Sequence, residues 1–178
     1  MNIHPLFVHF PIGLLVVYSV LEIGAYLSPT LRRQSWLFSV KAFLLFAGAL
    51  AAFAALITGG MAEELVEGSG RAYILEVHSP VAGATTLLYL VLAAAYIVRI
   101  FDEKGWSARI VGSNSFLIRV LNVKRYLAHL VLDTRVLPVL ALLALVGMTV
   151  TGALGAAIVY GPGADPFVSF IYHLFWAQ

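Results

Sequence analysis

PLFVHFPIGLLVVYSVLEIGAYL, residues 5–27, decides the class of this chain. One carboxylate, Glu22, and one imidazole, His9, interrupt a run that otherwise carries no charge. At 1.5 Å per residue, about 20 such residues cross the roughly 30 Å of hydrocarbon in a bilayer. Pro5 suits the first turn of a helix, where its missing N–H is no loss. Pro11 denies the same helix one interior hydrogen bond and crowds the carbonyl of Phe7, so either the helix kinks near His9 or regular helix begins only at Pro11. There is no basic n-region, and no convincing small-residue cleavage site follows, so the segment is expected to stay in the protein as a span.

Outward from that stretch, three more apolar runs lie at about 36–58, 79–100 and 136–159. The whole chain is 61% hydrophobic and only 11% charged, with a mean hydropathy of +0.94, against roughly one charged residue in four for soluble domains. The expected fold is all-α: an integral membrane four-helix bundle in a single transmembrane domain over 1–178. In the second run Lys41 can snorkel to the headgroups, Gly48 and Ala52 form a small-xxx-small pair, and Gly59 with Gly60 is expected to end the span. Ser79 can cap and Pro80 can open the third span, which places His78 at its entrance. Gly147, Thr151 and Gly155 are spaced for close packing in the fourth.

The connection from Phe101 to Thr134 is too polar to cross. It sets Leu117, Val120, Leu121, Leu127, Ala128 and Val131 against Arg119, Asn122, Tyr126, His129 and Asp133. That is helical spacing, and predicts an interfacial amphipathic helix over about 114–132, between spans three and four. Its Lys124 and Arg125 suit anionic headgroups or a protein partner; no nucleic acid is expected. After the GPGADP turn, FVSFIYHLFWAQ is too short to cross and predicts a second interfacial helix over about 166–176.

Four spans put both termini on one side. Arg32, Arg33 and Lys41 flank the first connection and Arg99, Lys104, Arg109, Arg119, Lys124, Arg125 and Arg135 the third, while Arg71 stands alone at the opposite face. Basic residues mark the cytoplasmic side, so a multi-pass protein of a bacterial inner membrane is expected, with both termini on the periplasmic or outer side. By that topology His4, His9, His78 and His173 converge on the outer end, and only His129 belongs to the inner one.

HPLFVHFPIGLL resembles the opening signature of a bacterial family of small membrane proteins, the domain-of-unknown-function 2231 family. The matching residues are His4, Pro5, His9, Phe10 and Pro11, then His78, then TGALGAAIVYG from Thr151 to Gly161. The resemblance implies four spans, a histidine near the start of the third and a glycine-rich end to the fourth. The amphipathic insert and the aromatic tail carrying His173 depart from that pattern.

The chemistry follows from the histidines. Cysteine is absent, which excludes disulfides, thiolate ligands, iron–sulfur clusters and covalent c-type haem. Neutral imidazole binds haem iron, copper and zinc, and facing helices of a bundle often build cofactor sites. Haem b would take His9 and His78 as axial ligands, with His4 and Arg71 toward its propionates and Gly13, Ala82, Gly83 and Ala84 leaving room for a flat macrocycle. A copper or zinc site would instead use His4, His9 and His78, with His173 as a further metal candidate and Glu63 or Glu76 nearby. Histidines that simply pack at the lipid boundary are the third possibility. Glu22 can partner Tyr18, Lys41 or Arg99, or take part in proton movement, with satisfied packing the plainer account. No nucleophile–base pair, phosphate loop or carboxylate pair at catalytic spacing is present, which points to an electron-transfer or binding subunit rather than a stand-alone catalyst. The expected partners are the lipid bilayer and a redox protein or larger membrane complex, with a quinone as a further candidate.

Overall fold

A computed structural model describes residues 4–112 and 114–176, the side chains of 4–6, 64–67, 108, 110 and 111 excepted. The described residues are helical with no strand. In chain order the helices are α1 (His4–Leu27), α2 (Pro29–Arg32), α3 (Leu37–Glu67), α4 (Ala72–Glu103), α5 (Trp106–Val111), α6 (Ser115–Leu132), α7 (Val136–Tyr160) and α8 (Pro166–Phe175). Four of them, α1, α3, α4 and α7, are long and apolar enough to cross a membrane.

These four close into a ring. Helix α1 packs on α3 and α7, and α4 packs on the same two from the other side, so α1 and α4 stand opposite each other. Small residues set the close approaches. A Cβ added at Gly48 of α3 would lie 2.6 Å from the Leu15 side chain of α1, and Gly147 of α7 accommodates Thr85 of α4. The bundle core comprises Leu15 and Tyr18 of α1, Leu45 of α3, Tyr89, Leu92 and Tyr96 of α4, and Ala144 and Met148 of α7. Facing away from it, Val17, Phe43, Leu50, Leu87, Leu142 and Leu143 are exposed. An apolar belt of that extent is what a bilayer covers.

A second cluster, Ile74, Ala153, Leu154, Ala157, Val168 and Ile171, joins α8 to α7 and α4 at the end of the bundle where α1 begins and α7 finishes. This is the terminal end. Asp165 caps α8 by accepting from the Phe167 and Val168 amides at 2.8 and 2.9 Å, and Pro166 follows at the first helical position. The opposite, basic end gathers Arg32, Arg33, Arg99, Arg125 and Arg135. There α6, capped by Asn114, lies against α4 and α7 and is tied down by ion pairs. Arg125 meets Asp102 at 2.8 Å, Arg99 meets Asp133 at 2.5 Å, and His129 meets Asp133 at 2.5 Å. Burial raises the Asp133 carboxyl, but the hydrogen bonds from His129 and Arg99 outweigh it and hold the group below its ordinary value.

Several boundaries differ from the sequence expectation. Helix α3 runs through Gly59 and Gly60 to Glu67. Glycine costs about 1 kcal/mol in a helix interior and does not by itself stop one. Helix α4 begins at Ala72, so His78 lies well inside it, and Ser79 is not its cap. The Ser79 hydroxyl instead donates to Glu63 of α3 at 2.7 Å, an interhelical bond that the longer α3 and α4 make possible. Helix α1 starts at His4 and continues through Pro11 rather than beginning there. The stretch from Ser28 contains the one-turn α2, for which Ser28 is the cap.

Candidate functional site

The most polar part of the bundle interior is built from helices that lie apart in sequence. Helix α1 buries the stripe Pro11, Leu15, Tyr18, Ser19, Glu22 and Ala25, which spans three to four turns of one face. Glu22, only 3% exposed, therefore points into the ring. Its Oε2 accepts from the Lys41 ammonium of α3 at 2.7 Å, and its Oε1 accepts a short hydrogen bond from the Tyr96 hydroxyl of α4. Both carboxylate oxygens are thus satisfied by donors from two other spans, the condition under which a buried charge is tolerated. One turn deeper, the Ser19 and Tyr89 hydroxyls hydrogen-bond at 2.9 Å. Between the two pairs stands Tyr18, edge-on to Tyr89 and Tyr96 with ring centroids 6.3 and 6.2 Å away. Its buried hydroxyl lies close to Glu22 and Tyr96.

This polar column opens at the basic end into a cavity of about 560 Å³. Glu22, Lys41 and Tyr96 line it, as do Phe38, Leu37, Leu132, Leu137 and Pro138 on its apolar walls and Arg32, Arg99, Asp133 and Arg135 among its charged groups. Phe38 stacks on Tyr96 with centroids 5.2 Å apart, and the Arg99 guanidinium lies 5.8 Å from the Phe38 ring centre. Arg99 is also bonded to Glu103 and Asp133. Among the described residues, neither Arg32 nor Arg135 has an ion-pair partner. Glu22 and Lys41 were legible in the sequence as polar residues inside spans. Tyr96 was not singled out, and Arg32 and Arg135 were read only as markers of the inner side, although a tyrosine in the last turns of the third span and arginines in the flanking connections share the depth of Glu22.

The histidines distribute differently. His9 stands on α1 with an exposed side chain, off the stripe that the helix buries. His78 is half-buried on α4, and a Cβ at Gly155 of α7 would lie 3.4 Å from its Cε1. His173 is exposed on α8 beside the Tyr172 ring. The side chain of His4 lies outside the described residues. Arg71 turns its Nη1 to the carbonyls of Ile158 and Val159 at 2.9 and 2.8 Å, closing the C-terminal end of α7 at Gly161. Of the small residues beside these histidines, Gly13 and Gly83 both face space, with nothing within 4 Å of an added Cβ. Among the described residues, no three His, Asp or Glu side chains come together as a metal-binding group.

Comparison with known proteins agrees with this architecture. A family model described as "Predicted membrane protein (DUF2231)" matches residues 1–165. No curated protein and no solved structure matches the chain.

Proposed function

The chain belongs to the DUF2231 family of predicted membrane proteins, and from that premise we propose that it is a multi-pass electron-transfer subunit carrying haem b at the terminal end. The observation that carries this function is the placement of His78. It is half-buried on α4, against a glycine of α7, and on the helix opposite α1 across the ring. A helix-lined interior is a common place to hold a macrocycle. Gly13, exposed on α1, and Gly83, half-buried on α4, have nothing within 4 Å of an added Cβ, so neither obstructs a flat group beside its histidine.

The second axial ligand in this proposal is His9. It sits two residues before Pro11, whose missing N–H leaves the Phe7 carbonyl without its helical partner, so this turn of α1 is the one free to re-aim. In this proposal His4, at the start of α1, and Arg71, which also donates to the Ile158 and Val159 carbonyls, would meet the propionates. The Lys and Arg distribution supports an orientation with the basic end in the cytoplasm and the haem toward the outer side of a bacterial inner membrane. A redox protein or larger membrane complex, with a quinone as a further candidate, would exchange the electron. When bound, haem b supplies one-electron chemistry, and the chain's part is ligation, burial and proximity.

The test is a dithionite-minus-oxidised visible spectrum of the full chain, purified in detergent from cells supplied with haem. A sharp alpha band in the wild type, lost in both His78→Ala and His9→Ala while the helical circular dichroism is retained, is the expected result. A featureless wild-type spectrum overturns it, and stoichiometric copper or zinc in such a sample would replace haem with a metal site.

A further inference from the structure

The cavity at the basic end belongs to none of the histidine chemistry, and its charge does not balance. Six charged side chains line it: Arg32, Lys41, Arg99 and Arg135 against Glu22 and Asp133. Lys41 is neutralised by Glu22 at 2.7 Å, and Arg99 by Asp133 at 2.5 Å. Arg32 and Arg135 remain, one from the connection between α1 and α3 and one from that between α6 and α7, with no carboxylate partner among the described residues.

Helix ends of both signs meet at the same cavity. Helices α3 and α7 both begin at this cavity, where Leu37 and Phe38 of one and Leu137 and Pro138 of the other form its walls. Neither carries an acidic residue in its first turn; at α7 the Thr134 hydroxyl accepts from the Val136 amide at 3.1 Å, and Arg135 adds no side-chain cap. These two helices present the positive ends of their dipoles, while α1 and α6 finish at the cavity with Ala25, Tyr26, Leu132 and Asp133 and present negative ends, so the net positive charge rests on the two arginines. Beneath the charged rim, Phe38, Leu132 and Leu137 form an apolar wall above the Glu22–Lys41–Tyr96 floor.

We propose that this cavity is a binding site for a phosphate- or carboxylate-headed anion, held between Arg32 and Arg135 at the N-terminal ends of α3 and α7. The guanidinium groups supply forked donors to the head, and a volume of about 560 Å³ accommodates the head together with the first part of an apolar tail. Two sources offer this chemistry: an anionic lipid entering from the leaflet, and a soluble phosphate or carboxylate from the aqueous phase.

The experiment uses the full chain in nanodiscs of zwitterionic lipid. Inorganic phosphate is titrated by calorimetry, and phosphatidylglycerol is titrated into the disc lipid with native mass spectrometry as the readout. Saturable binding of one or both probes is expected, weakened about tenfold or more in the Arg32→Gln/Arg135→Gln double variant, as loss of charged hydrogen bonds implies. Arg33→Gln, an exposed neighbour that does not line the cavity, should leave binding unchanged and so separates the site from general attraction to a basic surface. Binding of phosphate alone assigns a soluble anion; binding that requires the acyl chain assigns a lipid. No saturable binding of either probe, or equal binding by wild type and the folded double variant, overturns the proposal. None of these readouts depends on haem.

Discussion

Replacing Lys41 by methionine tests whether the polar interior of this bundle is held by charge. Lys41 donates to Glu22 at 2.7 Å, and the side chains are 12% and 2% exposed. Methionine keeps most of the lysine stem's volume, so the substitution removes the ammonium with little change in packing. Glu22 would keep the hydrogen bond from Tyr96 but lose its counter-charge in a site closed to water except through the cavity. Removing one partner of a buried pair costs about 3–5 kcal/mol, because the remaining charge stays desolvated. The surviving Tyr96 bond and the cavity's access to water place the expected loss near the lower figure, about 3 kcal/mol. For a chain of this size that corresponds to a fall in Tm of roughly 6–12 °C, read by thermal unfolding in detergent. The double variant Lys41→Met/Glu22→Gln removes both charges, keeps a partner for Tyr96, and should recover more than half of the loss. A single variant within about 1 kcal/mol of the wild type, or a double variant no more stable than the single, would refute the account of Glu22 as a buried carboxylate that needs Lys41.

Two other outcomes follow from the packing. Gly48→Ala would place a Cβ 2.6 Å from the Cγ and Cδ2 of Leu15, a side chain with no exposed surface to move into; the overpacking should cost about 1–3 kcal/mol, seen as a lower Tm, and an unchanged Tm would mean that α1 and α3 can part without penalty. The Asp133 carboxyl is held below its ordinary value of 3.8 by His129 and Arg99 despite partial desolvation, so its contribution to holding α6 on α4 is fully present above that value and is lost as pH falls through the lower, folded value. Hydrogen exchange of α6 amides should therefore accelerate as pH drops below about 4, relative to the intrinsic rate, and Asp133→Asn should show faster exchange at neutral pH and a smaller acid dependence, the remainder coming from the Asp102–Arg125 pair.

The sequence by itself determined the class, the number of long apolar helices and the position of the two shorter helices over 115–132 and 166–175. Runs of about 20 apolar residues admit few other structures, because a chain in hydrocarbon must satisfy its own backbone hydrogen bonds. The amphipathic stretch between spans three and four appeared within a residue or two of its expected bounds, since Asn114 is a strong local start signal and the apolar spacing is regular. Local rules failed where contacts between spans decided the outcome. Gly59 and Gly60 did not stop α3, and Ser79 spends its hydroxyl on Glu63 across the helix pair rather than on a cap. The histidines were visible as an unusual set at one end, yet which of them face the interior depends on the rotation of α1, which Pro11, Leu15 and Glu22 fix by burial. Lys41, 19 residues from Glu22, could be named as a candidate partner from the sequence, but Tyr96 lies 74 residues away, and no spacing along the chain announces that three spans will bring both to one carboxylate. Only the closed ring decides that, because a buried charge selects among packing arrangements those few that supply both of its oxygens with donors.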